Sequence, residues 1–230
     1  MIPISEIFGP TLQGEGPLMG MSTVFVRVRG CDNKCLWCDT QYAREVAGEQ
    51  FGAEMIVRKV QECCADPILV TLTGGNPAMY PELGDAVSLL KRLGYKVACE
   101  TQGTYVQLWF TYLDHLVISP KPPSSGNPTS IEDFVLCYGS YVEGKIHVKV
   151  VVDGEADFAY AEEVSKQVGA APVYLQPCTA TGGLPTRRGY VMRQLDHIEK
   201  IWDMVKASGN LNYIVLPQLH RLLWGEERGV

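Results

Sequence analysis

The chain has 230 residues, 46% hydrophobic and 20% charged, and its 20 Lys and Arg against 26 Asp and Glu leave a net charge of −6. A chain of this length removes roughly 70–75% of its unfolded surface from water on folding, so one core without disulfide staples suffices and a single domain over 1–230 is expected. The acidic balance excludes a general nucleic-acid-binding surface, which needs clustered cations to displace phosphate counterions; a local basic pocket for one small anion is compatible with it.

The longest uncharged stretch, 167–186, is broken by Pro172, Pro177, Gly182, Gly183 and Pro185. It cannot supply the ~20 helix-compatible apolar residues of a membrane span. The N-terminal MIPISEIFGP has no basic start, apolar h-region or cleavage site. The expectation is therefore a cytoplasmic protein with no membrane contact, whose eight cysteines are reduced thiols or metal ligands.

In chain order, the first β-branched run is 23–29, where Val24, Val26 and Val28 share one face and Phe25, Arg27 and Arg29 the other. Ile56, Val60 and Cys63 then recur at helical spacing, followed by a strand at 68–72. A second helical stripe, Leu83, Val87, Leu90 and Leu93, is closed by Gly94. Strands follow at 96–99 and 116–119, and Thr129 with Glu132 makes a capping box for a helix running through Phe134. After a strand at 145–152, Asp153 is the expected cap of a helix over 155–168. A strand at 173–176 precedes a long helix lined by Val191, Leu195, Ile198, Trp202 and Val205, ending near Gly209, and a last strand covers 212–216.

This βαβα alternation predicts a mostly parallel sheet with crossover helices. Runs such as ILVTL and KVVVD are almost wholly apolar, as strands covered on both faces are. Seven expected strands suit an incomplete β/α barrel better than a closed eightfold one, which typically needs ~250 residues. Most strands run into polar, Gly- or Pro-marked loops: CDNKCLWCDT, TGGNP, ETQGT, SPKPPSS, LQPC and LPQLH. In parallel α/β folds these loops share one face, where ligands bind.

The sharpest chemical signal is Cys31-Asp-Asn-Lys-Cys35-Leu-Trp-Cys38, directly after a strand. Three thiolates within eight residues converge if the chain curls around something, and zinc and iron–sulfur clusters are the fillings that thiolates favour. A closed zinc site wants four protein ligands, and a typical electron-transfer cluster four cysteines. Three cysteines on a [4Fe–4S] cluster leave one iron open to a small molecule. A zinc site completed by His115, His147, His197 or His220, and a fortuitous cluster of thiols, stay open as alternatives. Cys63, Cys64, Cys99, Cys137 and Cys178 are expected to be small buried hydrophobes.

The CxxxCxxC spacing, with Trp37 before the last cysteine, resembles the radical S-adenosylmethionine superfamily. The ordered set FGPTLQGEG, CDNKCLWCDT, TGGNPA, ETQGT, SPKPPSS and LPQLHRLLWG, from about Ile4 to Val230, resembles more narrowly the 7-carboxy-7-deazaguanine synthase family. That resemblance implies a lyase of queuosine (7-deazapurine) synthesis that contracts 6-carboxy-5,6,7,8-tetrahydropterin with loss of ammonia. It implies an external electron donor, a homodimer and three cofactors: a [4Fe–4S] cluster on Cys31, Cys35 and Cys38, S-adenosylmethionine, and Mg²⁺ on Thr40. Another radical enzyme, such as an activase of a partner protein, would share the cysteines and Gly75 but need neither Arg27 nor the C-terminal motif.

By the same resemblance, Leu12, Gln13, Gly14, Glu15, Thr73, His220 and Val230 are substrate contacts, Val230 through its backbone. Arg27 matches the substrate carboxylate with its two-pronged guanidinium. Trp37, Cys38, Asp39, Gly75, Ser119, Pro120, Lys121 and Gln176 are implied to contact S-adenosylmethionine. No general acid–base pair is evident. Asn76, where the superfamily more often has Glu, and Gln102, where the family more commonly has Asn, receive no role.

Overall fold

Nine strands form one sheet in the structure, a computed structural model that describes residues 1–45, 47–139, 145–178, 187–225 and 227–230, Arg187 through its backbone alone. In chain order the elements are β1 (Ile2–Leu12), β2 (Ser22–Val28), β3 (Glu49–Phe51), α1 (Ala53–Cys63), β4 (Leu69–Gly74), α2 (Leu83–Arg92), β5 (Lys96–Thr101) and β6 (His115–Ile118). They continue with α3 (Ile131–Gly139), β7 (Lys145–Val152), α4 (Glu155–Val168), β8 (Val173–Pro177), α5 (Arg187–Ser208), β9 (Tyr213–Val215) and α6 (Leu219–Trp224). The order across the sheet is β3-β1-β2-β4-β5-β6-β7-β8-β9. β1 is antiparallel to both its neighbours, and every pairing from β2 through β9 is parallel. The sheet stays open, as an incomplete barrel does.

The two faces follow from period-two alternation. Val24, Val26, Val28, Val70, Leu72, Val148, Val150 and Val152 point into one core shared with α1, α2 and α4, where each buried aliphatic side chain contributes roughly 1.5–3 kcal/mol. On the other face, Leu18 from the 3₁₀ turn Gly16–Leu18 meets Leu69, Ala98 and Val117 in a small apolar plug. Above that plug, at the C-terminal ends of the strands, the inner face turns polar.

Four local expectations change, and two strands, β1 and β3, lie outside the seven expected. β1 does not alternate cleanly, because its register against β2 shifts between Ile4 and Glu6 and again between Phe8 and Thr11; Gly9-Pro10 sits in the second shift. β3 pairs only with Ile2 to Ile4, so Pro10 faces no ladder on that side. The cap of α3 is Ser130, whose Oγ accepts from the Asp133 N–H (3.0 Å), while Thr129 instead accepts from the Lys121 N–H (2.9 Å). For α4 the cap position is Gly154, and Asp157 reaches back to accept from the Asp153 N–H (2.9 Å). Val205 of the α5 stripe is buried as expected, but further towards the N-terminus the face is rotated by one residue: Tyr190, Gln194 and Ile201 are buried, whereas Leu195 and Trp202 are 48% and 43% exposed. Gln194 is drawn inward because its Oε1 accepts from the Gln218 N–H (3.0 Å), a bond hydropathy does not reveal. Leu93, expected on the buried stripe of α2, is half exposed.

None of the eight cysteines is in a disulfide, and Cys99, Cys137 and Cys178 are buried as expected; Cys63 and Cys64 are only partly so. Residues 179–186 of the long uncharged stretch lie outside the described residues, among which no helix is long and apolar enough to cross a membrane.

Towards the N-terminal ends of β6 and β7, His115 Nδ1 and His147 Nε2 are 3.3 Å apart with stacked rings, and Tyr174 packs edge-on to His147. Burial, then the neighbouring His115 and Lys145, push His147 down to about 4. The unfolded chain therefore takes up this proton first as the pH falls, so the stability held by neutral His147 is complete above its ordinary 6.5 and is lost from there towards about 4. His147→Phe is expected to flatten the loss of stability over that window in denaturant melts; an unchanged pH slope contradicts it.

Candidate active site

The cysteine loop leaves the end of β2 and is held from three sides. The Gly75 N–H donates to Val28 O (3.1 Å) and the Asn76 N–H to Gly30 O (2.8 Å), tying the loop's start to the end of β4. A Cβ on Gly75 would lie 1.8 Å from Gly30 O, so only glycine permits this approach. In the middle of the loop, Leu36 N–H donates to Ser125 O (2.9 Å) and the Trp37 indole N–H to Ser124 Oγ (2.9 Å). The proline-marked segment after β6 thus acts as a buttress. Arg44 donates to Cys35 O from the far side.

The three cysteines open onto a cavity of about 670 Å³ at the C-terminal ends of the strands. Burial pushes the Cys31 and Cys35 thiols up, and nearby Lys121 pulls both back. Among the described residues, the group of three or more His, Cys, Asp or Glu whose ligand atoms all lie within 4.8 Å of one another is Glu15, Asp39 and His220. The cysteines form no such group, whereas a single tetrahedral zinc, with Zn–S ≈ 2.3 Å, would draw its sulfurs to within about 4 Å. Three thiols opening onto one cavity are a donor set that suits an iron–sulfur cluster. Three of the histidines considered for zinc have other partners: His115 and His147 face each other, and His197 meets Asp153 O (3.1 Å).

Opposite the cysteines, a buried polar network lines the cavity. Lys149, 4% exposed, forms an ion pair with Glu15 and stands 3.9 Å from Glu100. Glu100 accepts from Gln13 Nε2 (3.2 Å) and from the Thr73 hydroxyl (3.1 Å). Burial alone would raise the Glu15 carboxyl, but Lys149, His220 and Gln218 hold it well below the usual carboxylate range. Burial likewise opposes the Lys149 charge, yet Glu15 and Glu100 keep it firmly protonated.

The two ends of the chain meet here. The Leu219 N–H donates to Gly14 O (2.8 Å) and Gln218 Nε2 to Glu15 Oε1 (2.7 Å). A Cβ on Gly14 would lie 2.3 Å from His220 Nδ1, so the ring occupies the space that a side chain would take. Beyond α6, Arg228 stacks on Tyr42 at 3.8 Å, and Val230 reaches the cavity wall.

Arg27 faces the cavity from β2, on the side away from the valines, but its Nε is bonded to Glu6 Oε1 (2.7 Å), which also accepts from Tyr42 OH (2.8 Å). The terminal guanidinium nitrogens are what it can offer a carboxylate. Arg29 turns away to Tyr42 O (3.2 Å). Thr40 donates to Asp39 Oδ1 (2.8 Å), and Asp39 Oδ2 is 3.6 Å from Arg221. Leu12, Gly75, Ser119 and Lys121 also line the cavity, the Lys121 ammonium donating to Ser119 O (2.9 Å). Pro120 and Gln176 do not line it. Gln176 is fully buried and donates to Pro217 O (2.7 Å), so it braces the C-terminal motif from behind the wall.

Sequence reasoning passed over Glu100, Lys149, Gln218, Glu6 and Tyr42. Lys149 did carry a signal: alternation with Val148 and Val150 assigns it to the inner face of a covered strand, where an unpaired lysine is too costly to persist. Glu6 and Tyr42 carried none, because only the folded chain brings them to Arg27.

A parallel open sheet with three thiols in the loop after its first parallel strand defines a radical S-adenosylmethionine protein, and residues 25–120 match the model of the Radical SAM superfamily. Over its whole length the chain is 38% identical to the 7-carboxy-7-deazaguanine synthase of Bacillus subtilis (strain 168), covering 98% of that protein. It is 32% identical to the enzyme of that name from Pyrobaculum aerophilum, over 99% of this chain and 97% of the other. The crystal structure of QueE from Escherichia coli shares the fold, with a TM-score of 0.70 at 21% identity over 95% of this chain and 94% of that one. The chain belongs to the 7-carboxy-7-deazaguanine synthase family.

Lys149→Met is expected to destabilise the protein by about 3–5 kcal/mol, because it leaves the Glu15 carboxylate buried without its cation. Pairing it with Glu15→Gln recovers part of the loss. Chemical denaturation checks both; wild-type stability in Lys149→Met contradicts the network.

Proposed function

We propose that this chain converts 6-carboxy-5,6,7,8-tetrahydropterin to 7-carboxy-7-deazaguanine, a radical ring contraction that releases ammonia and belongs to 7-deazapurine (queuosine) synthesis. The observation that carries this reading is one cavity that joins the three thiols to a cation, Arg27, and to a wall of hydrogen-bonding groups, in a chain 38% identical to a protein named for that product. When bound, the [4Fe–4S] cluster and S-adenosylmethionine supply the one-electron chemistry that removes a hydrogen atom from substrate.

The chain's residues bind, orient and exclude water. Cys31, Cys35 and Cys38 hold the cluster. Trp37, Asp39, Gly75, Ser119 and Lys121 form the cofactor side of the cavity, with the Lys121 charge acting on both Cys31 and Cys35. Pro120 acts through the rigid path it gives its neighbours. Gln176, set behind the wall, serves the site indirectly by steadying Pro217.

On the substrate side, Arg27 receives the carboxylate and Glu6 aims it. Leu12, Gln13, Gly14 and Glu15 border the pterin ring, with Thr73, His220 and the backbone of Val230. Glu100, facing the cavity with lone pairs beyond those used by Gln13 and Thr73, suits the ring's N–H donors. Mg²⁺ is proposed beside Thr40; the hard oxygens of Asp39 and Glu15 nearby support it.

One domain over 1–230, built on the single sheet, is proposed to work in the cytoplasm with an external one-electron donor and without nucleic acid. A homodimer belongs to the same proposal, and the exposed Leu195 and Trp202 on α5 favour it.

The test is anaerobic reconstitution with iron and sulfide, then reaction of the reduced protein with S-adenosylmethionine, Mg²⁺ and the carboxy-tetrahydropterin. Formation of 7-carboxy-7-deazaguanine is expected; recovery of the pterin unchanged refutes the reading. Arg27→Ala removes a charged hydrogen bond worth ~1.5–3 kcal/mol, so KM is expected to rise roughly 10–100-fold with cofactor cleavage retained. An unchanged KM assigns Arg27 to structure alone.

A further inference from the structure

Asn76 and Gln102, which received no role from the sequence, converge on one acidic side chain. Asp32, next to the first cysteine, accepts through Oδ1 from Asn76 Nδ2 (2.9 Å) and from Gln102 Nε2, and through Oδ2 from the Thr104 hydroxyl (2.5 Å). Asn76 is fully buried and committed within the protein: Nδ2 also donates to Thr104 Oγ1 (3.2 Å), and Oδ1 accepts from Thr101 Oγ1 (2.9 Å) and the Ala78 N–H (3.2 Å). A carboxylate at 76 would confront Asp32 with like charge; the amide makes that meeting a bond. Asn76 is a strut between β4, β5 and the cysteine loop.

Gln102 is 3% exposed, and its amide has two N–H groups. One is directed at Asp32. Nε2 also lies 3.6 Å from Cys31 Sγ, within reach of an N–H···S bond. The assignment of nitrogen to that position is forced, since the flipped amide would set its oxygen against the Asp32 carboxylate. The residue's backbone is steadied too, its carbonyl accepting from Thr129 Oγ1 (3.4 Å).

We propose that Gln102, clamped by Asp32, donates a hydrogen bond to the Cys31 sulfur and thereby raises the reduction potential of the cluster that this cysteine holds. A hydrogen bond to a ligating thiolate stabilises the more negative, reduced cluster more than the oxidised one, and such bonds are among the factors that set cluster potentials. Gln102 is thus a positioning and tuning residue in the shell around the cluster. The inference rests on the cluster assignment made above and not on the identity of the substrate.

The experiment is an EPR-monitored redox titration of anaerobically reconstituted wild type, Gln102→Leu and Gln102→Met, with iron and sulfide measured in each. Both replacements keep the bulk and remove the donor. Midpoints more negative than wild type at full cluster content are expected. A wild-type midpoint in a fully loaded variant overturns the proposal. If Gln102→Leu fails to load, the unbranched Gln102→Met decides; loss of the cluster from both makes Gln102 a scaffold residue and overturns the tuning role. Wild-type protein without iron or sulfide would instead refute the cluster assignment itself.

Discussion

The upper end of the sheet depends on how closely the chain leaving β2 runs against the chain leaving β4. Gly30 O accepts from the Asn76 N–H, and the space where Gly75 would carry a Cβ is filled by the same carbonyl. This contact fixes where Cys31 begins, and so the height of the cysteine loop above the sheet. The loop has no helix or strand between Cys31 and Cys38. Its shape comes from what it leans on: the β4 end on one side and the Ser124–Ser125 segment on the other. A side chain at 75 would push the first cysteine away and take the cavity with it.

The cavity's second constraint is electrostatic. Two carboxylates, Glu15 and Glu100, and one ammonium, Lys149, share the inner face above the apolar plug. Burying such groups is tolerable only because each is paired and hydrogen-bonded. Their bonds draw together segments far apart in the chain: Glu15 from the N-terminal loop, Gln218 from the C-terminal motif, Gln13 and Thr73 from either side of β2. The face opposite the cysteines is therefore assembled by polar side chains from distant segments, whereas the cysteine face is fixed by the close backbone approach of its loop to β4 and to the 124–125 segment.

That difference explains what could be read from the residues alone. The cysteine spacing, the valine face of β2 and the parallel alternation are local regularities, and all three reappear in the structure. The N- and C-terminal motifs were recognisable as sequence patterns, although nothing within either shows that His220 packs on Gly14. β1 escaped notice because its two register shifts break the alternation by which strands are read. The rotated face of α5 depends on one buried glutamine, and the roles of Asn76 and Gln102 on one aspartate forty or more residues away in the chain. Pairings of polar side chains across the fold leave no period behind. They become visible only when the partners are in contact.

The central proposal is that Cys31, Cys35 and Cys38 would hold a [4Fe–4S] cluster and leave one of its irons for S-adenosylmethionine. The most direct measurement is the EPR spectrum of the reduced cluster with and without S-adenosylmethionine, in the absence of any pterin. A changed spectrum on adding S-adenosylmethionine, reversed by removing it, is the predicted result. A spectrum indifferent to S-adenosylmethionine would contradict the account, because it would mean that the fourth corner is closed.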